Sequence, residues 1–360
     1  MKACIVGAAG KMGHALIWAM RKLDFEVVAF DLWEKKGVTL ELSTLDHVTM
    51  KQMLPDKCDV LISAAPFYMN EDFARYCSLK DIRYCDLGGN PDWSAKIQEI
   101  ARSRESKPVL TDLGLAPGYA NIVATGMLKA LAAAKPTNLE IRVGGLPAKP
   151  EGILKYGRFF SMDGLENEYT GACHVLEGGE ETTVEAMTDI DKVHTLYGDF
   201  ESFHTRGGIS TTLQFAKEMG VLECFYKTLR FPGHAQFIQF MQQAGCYSHQ
   251  FVGLQSSKNA FQYIIKNLCP ENPQDFVVID IKVVCKDQVH TWSNMIKYDN
   301  EPRPGMKTPF RAMQKGTSFP TAAAAAVMAT GVFDNKPVIT YEDIANHDRE
   351  FRENLAILEM

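Results

Sequence analysis

Gly7, Gly10 and Gly13 recur at three-residue spacing, and Asp31 closes the apolar run that follows them. Three glycines and a carboxylate in that order can hold a pyrophosphate against backbone N–H groups and a ribose by its hydroxyls. Gly7 would permit a tight turn, Gly10 a close approach to phosphate, and Gly13 close packing of a helix. Lys11 and Met12, between the last two glycines, are read with them as cofactor-binding, ahead of a helix whose N-terminal unpaired N–H groups and partial positive charge favour phosphate. A plain glycine turn would share the spacing. The context decides: a strand-like run, Lys2–Val6, precedes the glycines, a helix-like run, His14–Leu23, follows, and Glu26–Phe30 ends on the acid. Asp31 suits the adenosine ribose of NAD. Against the 2′-phosphate of NADP it would be a like charge, costing about 4 kcal/mol at about 4 Å near a surface. Lys35 and Lys36 could offset that, so NAD is expected, with NADP possible.

Further along, arginine, tyrosine and histidine gather in three stretches. Cys224–Phe231 reads as a strand, and residues two apart on a strand share a face. Tyr226, Thr228 and Arg230 then point one way, before a turn at Pro232-Gly233-His234. Leu154–Ser161 reads likewise, with Tyr156, Arg158 and Phe160 on one face, and Phe203–Gly208 reads as a polar loop carrying His204 and Arg206. A solvated strand face and a turn would account for any one of these alone. Together they suit a substrate site. Arginine can grip a carboxylate through two hydrogen bonds, and histidine can act as a base near neutral pH. Arg230 is expected to hold the carboxylate, with Arg206 or Arg158 as alternatives. His204, His234 and Tyr156 are the candidate bases.

Alternating elements must position these groups. Asp59–Pro66 reads as a buried strand whose small end residues, Ala64, Ala65 and Pro66, leave room for a ribose. Ser43–Leu54, Glu71–Cys77 and Trp93–Arg104 read as helices. Ile82–Asp86 and Pro108–Asp112 read as strands, the first closed by Leu87-Gly88-Gly89. That alternation predicts a parallel, doubly wound sheet with ligands beyond the carboxyl ends of its strands, where Asp86 and Gly88 fall. After a turn-rich hinge at Gly114–Gly118 the pattern changes. Asn121–Ala133 reads as a helix, and Phe276–Cys285 and Val289–Tyr298 alternate as an antiparallel hairpin. Thr321–Gly331 reads as an apolar helix and Tyr341–Leu358 as an amphipathic one, both placed back against the first sheet.

Composition excludes several classes of function. Of 360 residues 46% are hydrophobic, enough for two domains. A formal net charge of −6 leaves no basic footprint for nucleic acid or an anionic membrane. No run approaches a membrane span, and the N-terminus reads as a strand and turn rather than a signal peptide. The nine cysteines are scattered without a zinc-like or C-x-x-C spacing, so no metal is expected. They read as reduced thiols of a cytoplasmic protein.

Taken together the motifs resemble those of the saccharopine-dehydrogenase-like oxidoreductases. The matching stretches are Gly7–Gly13, Tyr84–Gly89, Thr111–Gly118, Val143–Pro147, Phe159–Leu165, Glu201–Gly208 and Tyr226–His234, in family order along nearly the whole chain. Dihydrodipicolinate reductases share the first motif, but their paired histidines with a lysine downstream are missing. The resemblance implies an α/β fold: a split Rossmann doubly wound sheet with an inserted α+β domain for substrate and dimerisation. Residues 1–118, rejoined by 319–360, would bind NAD, and 119–318 would bind substrate and build a homodimer. It also implies hydride transfer between carbon–nitrogen bonds and NAD(P). Within the family the likeness is greatest to the lysine 6-dehydrogenase branch, which implies NAD-dependent oxidative deamination of the ε-amine of L-lysine to 2-aminoadipate 6-semialdehyde. Saccharopine chemistry, with glutamate as the departing amine, and a non-catalytic NAD-binding scaffold are the alternatives.

Overall fold

The computed structural model describes residues 1–31, 54–104, 106–247, 251–252, 255–271, 273–286 and 288–360. Lys35, Lys36 and the helix expected over Ser43–Leu54 (Leu54 excepted) lie outside the described residues, as does Asp287 of the expected hairpin turn.

The first sheet is parallel throughout. It contains β1 (Lys2–Val6), β2 (Glu26–Phe30), β3 (Val60–Ser63), β4 (Arg83–Asp86) and β5 (Val109–Leu110), in the order β2-β1-β3-β4-β5. The helices α1 (Lys11–Lys22), α2 (Asn70–Lys80) and α3 (Pro91–Arg102) form crossovers. A parallel sheet covered on both faces needs continuous apolar strands, and β1 shows why. Its Ala3 and Ile5 pack with Leu16 and Ile17 of α1, whereas Cys4 and Val6 pack with Phe73 and Ile97 of α2 and α3.

The second sheet is mixed. It contains β6 (Asn138–Pro147), β7 (Ala172–Glu177), β8 (Glu180–Glu185), β9 (Asp191–Thr195), β10 (Gly198–His204) and β11 (Glu223–Arg230). After a separate short pair, β12 (Phe251–Val252) and β13 (Gln255–Ser256), it adds β14 (Asp275–Cys285) and β15 (Gln288–Lys297). The path is β15-β14-β6-β11-β10-β9, with β7 pairing both β11 and β8. The β6–β11 pair is parallel and β14–β15 is the hairpin that the alternation predicts. Helices α4 (Tyr119–Ala130), α5 (Met162–Glu168), α6 (Thr212–Glu218), α7 (His234–Gln243) and α8 (Ser257–Leu268) surround this sheet or link it to the first. The chain is therefore an α/β protein with a Rossmann-like parallel sheet and an additional α+β part.

Three final helices, α9 (Ala312–Ala329), α10 (Tyr341–Asn346) and α11 (Asp348–Ile357), return to the first sheet. Ala322–Ala325 are fully buried, and their small side chains let α9 lie close to its neighbours. Trp18 of α1 stacks on Phe319 and meets Phe310 edge-on, both at 5.4 Å. Gln314 Nε2 and Ser318 Oγ donate to the carbonyls of Lys11 and Met12 at 3.0 and 3.1 Å, so α9 braces the start of α1. The amphipathic run expected over Tyr341–Leu358 is two helices meeting at His347, with Ile344, Phe351, Leu355 and Leu358 buried.

Two expected elements differ. Leu154–Ser161 is not a strand. Lys155 adopts a left-handed φ of 47°, which breaks an extended run. Arg158 is instead tied to Pro270 and Cys269 through its backbone N–H and Nε. Phe203 and His204 are not in a loop but end β10, and the loop begins at Thr205.

Candidate active site

The glycine turn leaves β1 through Gly7, whose φ of 75° favours a residue without a Cβ. A Cβ there would stand 2.6 Å from the Ala64 carbonyl, and one on Gly13 would stand 2.2 Å from Gly7 O. The turn therefore nests on the end of β3, and α1 nests on the turn. Ala9 N–H donates to Asp31 Oδ2 at 2.8 Å, so Asp31 pins the loop. The helix α1 starts at Gly10 with no side-chain cap. Gly7, Gly10, Lys11, Met12, Asp31, Ala64, Ala65, Pro66 and Gly88 line one end of a cavity of about 950 Å³. A glycine cradle that any Cβ would fill, an uncapped helix start and a carboxylate at the strand end fit a dinucleotide.

Asp86 does not line the cavity. It is fully buried, and its Oδ1 accepts from the backbone N–H groups of Gly88 and Asp112 at 2.8 and 3.1 Å. Burial, with the Asp112 carboxylate adding, raises it to about 7. It shapes the turn at Gly88 from beneath.

The other end of the cavity belongs to β11 and α5. Tyr226, Thr228 and Arg230 line it together, as their alternation predicts. Arg230 is 97% buried by accessible surface (3% exposed). Its Nη1 donates to Leu229 O at 3.0 Å and its Nε to Tyr169 Oη at 3.1 Å, while the guanidinium lies 4.9 Å over the Tyr156 ring. Its Nη2 stands 3.8 Å from Glu168 Oε2. Glu168 ends α5 and also lines the cavity. Removal from bulk water raises its carboxyl to about 7, against the pull of Arg230. Its side chain keeps 30% of its surface exposed. Sequence reasoning missed Glu168 because it is one acid among Glu166-Asn167-Glu168 on a short helix, with no periodic signal.

The candidate bases lie elsewhere. Cross-strand pairing sets His204 opposite Lys227 and Phe203 opposite Thr228, so His204 occupies the face away from Arg230. There its Nε2 lies 3.5 Å from Asp189, whose carboxylate also meets Lys227 Nζ at 2.5 Å. Burial and Lys227 hold its pKa below the usual histidine value. Register thus corrects the expectation for His204. His234 and Tyr156 are buried behind Arg230 rather than on the cavity wall. Burial and Arg230 lower the His234 imidazole to about 3, and burial pushes the Tyr156 hydroxyl well above its usual range. None of the three lines the cavity beside Arg230.

Arg206 does line the cavity, but its guanidinium is engaged by Asp92 at 2.9 Å and Asn167 at 3.3 Å. Asn167 also donates to Gly89 O at 3.0 Å. These contacts join the β4–α3 turn to α5 across the mouth of the site. Arg158 is tied to Cys269 O and lies 3.7 Å from Glu271, away from the cavity wall. Among the described residues no cluster of three or more His, Cys, Asp or Glu could hold a metal, and no helix is long and apolar enough to cross a membrane.

A glycine turn facing a carboxyl–guanidinium pair across one cavity places a Rossmann-like sheet opposite a second part that supplies the polar wall. The saccharopine dehydrogenase C-terminal domain matches residues 114–358, and the chain belongs to that family. In fold it is similar to the saccharopine dehydrogenase (L-Glu forming) of Saccharomyces cerevisiae. The TM-score is 0.70 at 13% identity, over 98% of this chain and 96% of that one. Weaker likenesses include GenD2 from gentamicin A biosynthesis in complex with NAD (TM-score 0.44, 12% identity, 99% and 92% covered). A probable dehydrogenase from Thermotoga maritima compares similarly (0.44, 11%, 100% and 97%).

Proposed function

We propose that the protein is an NAD(P)-dependent oxidoreductase acting on a secondary amine whose nitrogen also bears an α-carboxylate carbon. This is the saccharopine type of reaction, with glutamate as the departing amine. One observation carries the reading: Arg230 Nη2 and Glu168 Oε2 lie only 3.8 Å apart on one cavity wall. In an N-substituted α-amino acid the nitrogen and the carboxylate carbon are separated by a single carbon. One molecule can then meet both groups, its carboxylate on the guanidinium and its amine beside Glu168. In lysine the ε-amine is five carbons from the carboxylate, so gripping that carboxylate with Arg230 carries the ε-amine past Glu168. Family membership and the fold of the yeast enzyme support the same direction. Lysine 6-dehydrogenation, the finer reading of the sequence, becomes the competing outcome of the test.

Hydride cannot leave a carbon beside an ammonium, because no lone pair is available to form the imine. Glu168, with a carboxyl near 7, can take the amine proton at neutral pH. Arg230 holds the adjacent carboxylate and fixes the nitrogen against Glu168. When bound, NAD(P) supplies the ring that accepts the hydride from the amine-bearing carbon. Water adds to the resulting iminium and its proton passes to solvent; the carbinolamine nitrogen then takes the proton held by Glu168 and departs as glutamate, while the hydroxyl proton returns to the Glu168 carboxylate as the aldehyde forms. Glu168 is thus base, then acid, then base again. Asp31 favours NAD over NADP in this reading. Residues 1–118 with 319–360 form the cofactor unit, 119–318 the substrate unit, and a homodimer is built on the latter.

The test is a panel of amines with NAD and NADP. Saccharopine should yield glutamate and reduced cofactor in equal amounts, and lysine should yield neither. Ammonia release from lysine without glutamate would assign lysine 6-dehydrogenation instead. Cofactor binding without turnover of any amine would leave a scaffold.

A further inference from the structure

Behind Arg230 lies a chain of polar groups that the proposed reaction does not consume. Tyr169, His234 and Arg230 are 0%, 1% and 3% exposed. His234 Nδ1 lies 2.9 Å from the Leu154 carbonyl oxygen. That oxygen can only accept, so Nδ1 carries the proton. A neutral imidazole then has a lone pair at Nε2. Nε2 lies 2.9 Å from Tyr169 Oη, so the tyrosine hydroxyl donates to it. With its hydrogen committed there, Tyr169 Oη presents a lone pair to Arg230, whose Nε–H donates at 3.1 Å.

We infer that His234 and Tyr169 are positioning residues, a relay that fixes the guanidinium of Arg230 so that Nη2 faces Glu168 and the substrate carboxylate. Each bond in the chain has one possible direction once the Leu154 carbonyl sets the tautomer. The Leu229 carbonyl holds Nη1, and the Tyr156 ring covers the guanidinium face. Nη2, on the Glu168 side, makes no hydrogen bond among the described residues and is the nitrogen left to meet a ligand carboxylate. The rings facing the imidazole are Tyr156, Tyr169 and Phe203, the last parallel to it. None carries a charge at neutral pH, and Arg230 adds a permanent positive one. The imidazole therefore stays neutral through the working range, consistent with its lowering to about 3. A protonated ring would reverse the bond between Nε2 and the Tyr169 hydroxyl and leave the tyrosine hydrogen without its acceptor. The substrate side of this inference rests on Arg230 holding the carboxylate.

Two readouts test it. In protein labelled with 15N-arginine, the Arg230 Nε–H resonance is assigned by its loss in Arg230→Lys. The resonance should be slow to exchange with solvent. Exchange should quicken in Tyr169→Phe, which keeps the ring, and in His234→Leu. It should be restored in His234→Gln, whose amide offers one donor and one acceptor. This measurement needs no substrate, so it stands or falls separately from the substrate reading. In kinetics, Tyr169→Phe and His234→Leu should raise KM for the carboxylate-bearing amine about five- to tenfold, the effect of one hydrogen bond, with little change in kcat. His234→Gln should keep the low-pH fall in rate. Unchanged exchange in both Tyr169→Phe and His234→Leu would overturn the relay. So would a fall in kcat of about a hundredfold in His234→Gln with the low-pH fall abolished, since that would make His234 the base.

Discussion

Replacing Glu168 by Gln keeps the shape of the cavity wall and removes the one carboxyl that the structure tunes toward neutrality beside Arg230. The wild-type carboxyl lies near 7 because burial outweighs the attraction of the guanidinium. Amine oxidation needs the deprotonated form, so kcat/KM should rise with pH through about 7. Below that it should fall about tenfold per pH unit. Loss of a positioned base costs on the order of 10²–10⁴ in rate. Glu168→Gln should therefore be slower by that factor at pH 8, and its remaining pH dependence should follow the substrate ammonium alone. The same group links pH to stability. Its folded value stands above the ordinary 4.5, so its contribution is fully present below about 4.5 and is lost as pH rises through 7. The rise corresponds to at most about 3 kcal/mol, and water in the cavity reduces this to about 1–2 kcal/mol. Wild-type Tm should fall between pH 5 and 8 relative to that of Glu168→Gln. Absorbance of the reduced cofactor gives the rates and calorimetry the Tm. A Glu168→Gln enzyme that keeps both the limb near pH 7 and its rate within about tenfold would refute the assignment.

Arg230→Met should raise KM for a carboxylate-bearing amine roughly ten- to a hundredfold, the worth of a charged hydrogen bond, while cofactor binding measured by fluorescence stays intact. Asp31→Ser removes the acceptor of Ala9 N–H and the like charge facing a 2′-phosphate, so affinity for NAD should weaken and the NADP/NAD preference should rise at least about tenfold. A wild type that already prefers NADP would contradict that role. His204→Asn should leave kcat/KM within about threefold, because the side chain lies on the sheet face away from the cavity. A loss of activity at constant Tm would return His204 to the site.

The glycine turn was legible because it is local. Strand, glycines, helix and acid lie within thirty-one residues, and each glycine performs a contact that its neighbours' backbone dictates. The face shared by Tyr226, Thr228 and Arg230 was legible for the same reason, since period-two alternation is a property of one strand. His204 was misplaced because its face depends on register with β11, and Phe203–His204 reads as loop when its glycines are weighed without that partner. Leu154–Ser161 alternates convincingly, yet the left-handed Lys155 and the ties of Arg158 to Cys269 and Pro270 come from tertiary packing. Glu168 carries its meaning only through burial beside an arginine sixty-two residues away, and no sequence window holds both.

The central claim is that the reacting nitrogen carries a carboxylate one carbon away. The most direct measurement runs the reaction in reverse, with 2-aminoadipate 6-semialdehyde and NADH fixed and the amine varied. Glutamate should support oxidation of NADH, while ammonia and 4-aminobutanoate, which lacks the α-carboxylate, should be slower by about a hundredfold or more, as expected when a buried charged partner is left unpaired. Turnover with ammonia at a rate equal to that with glutamate would contradict the account.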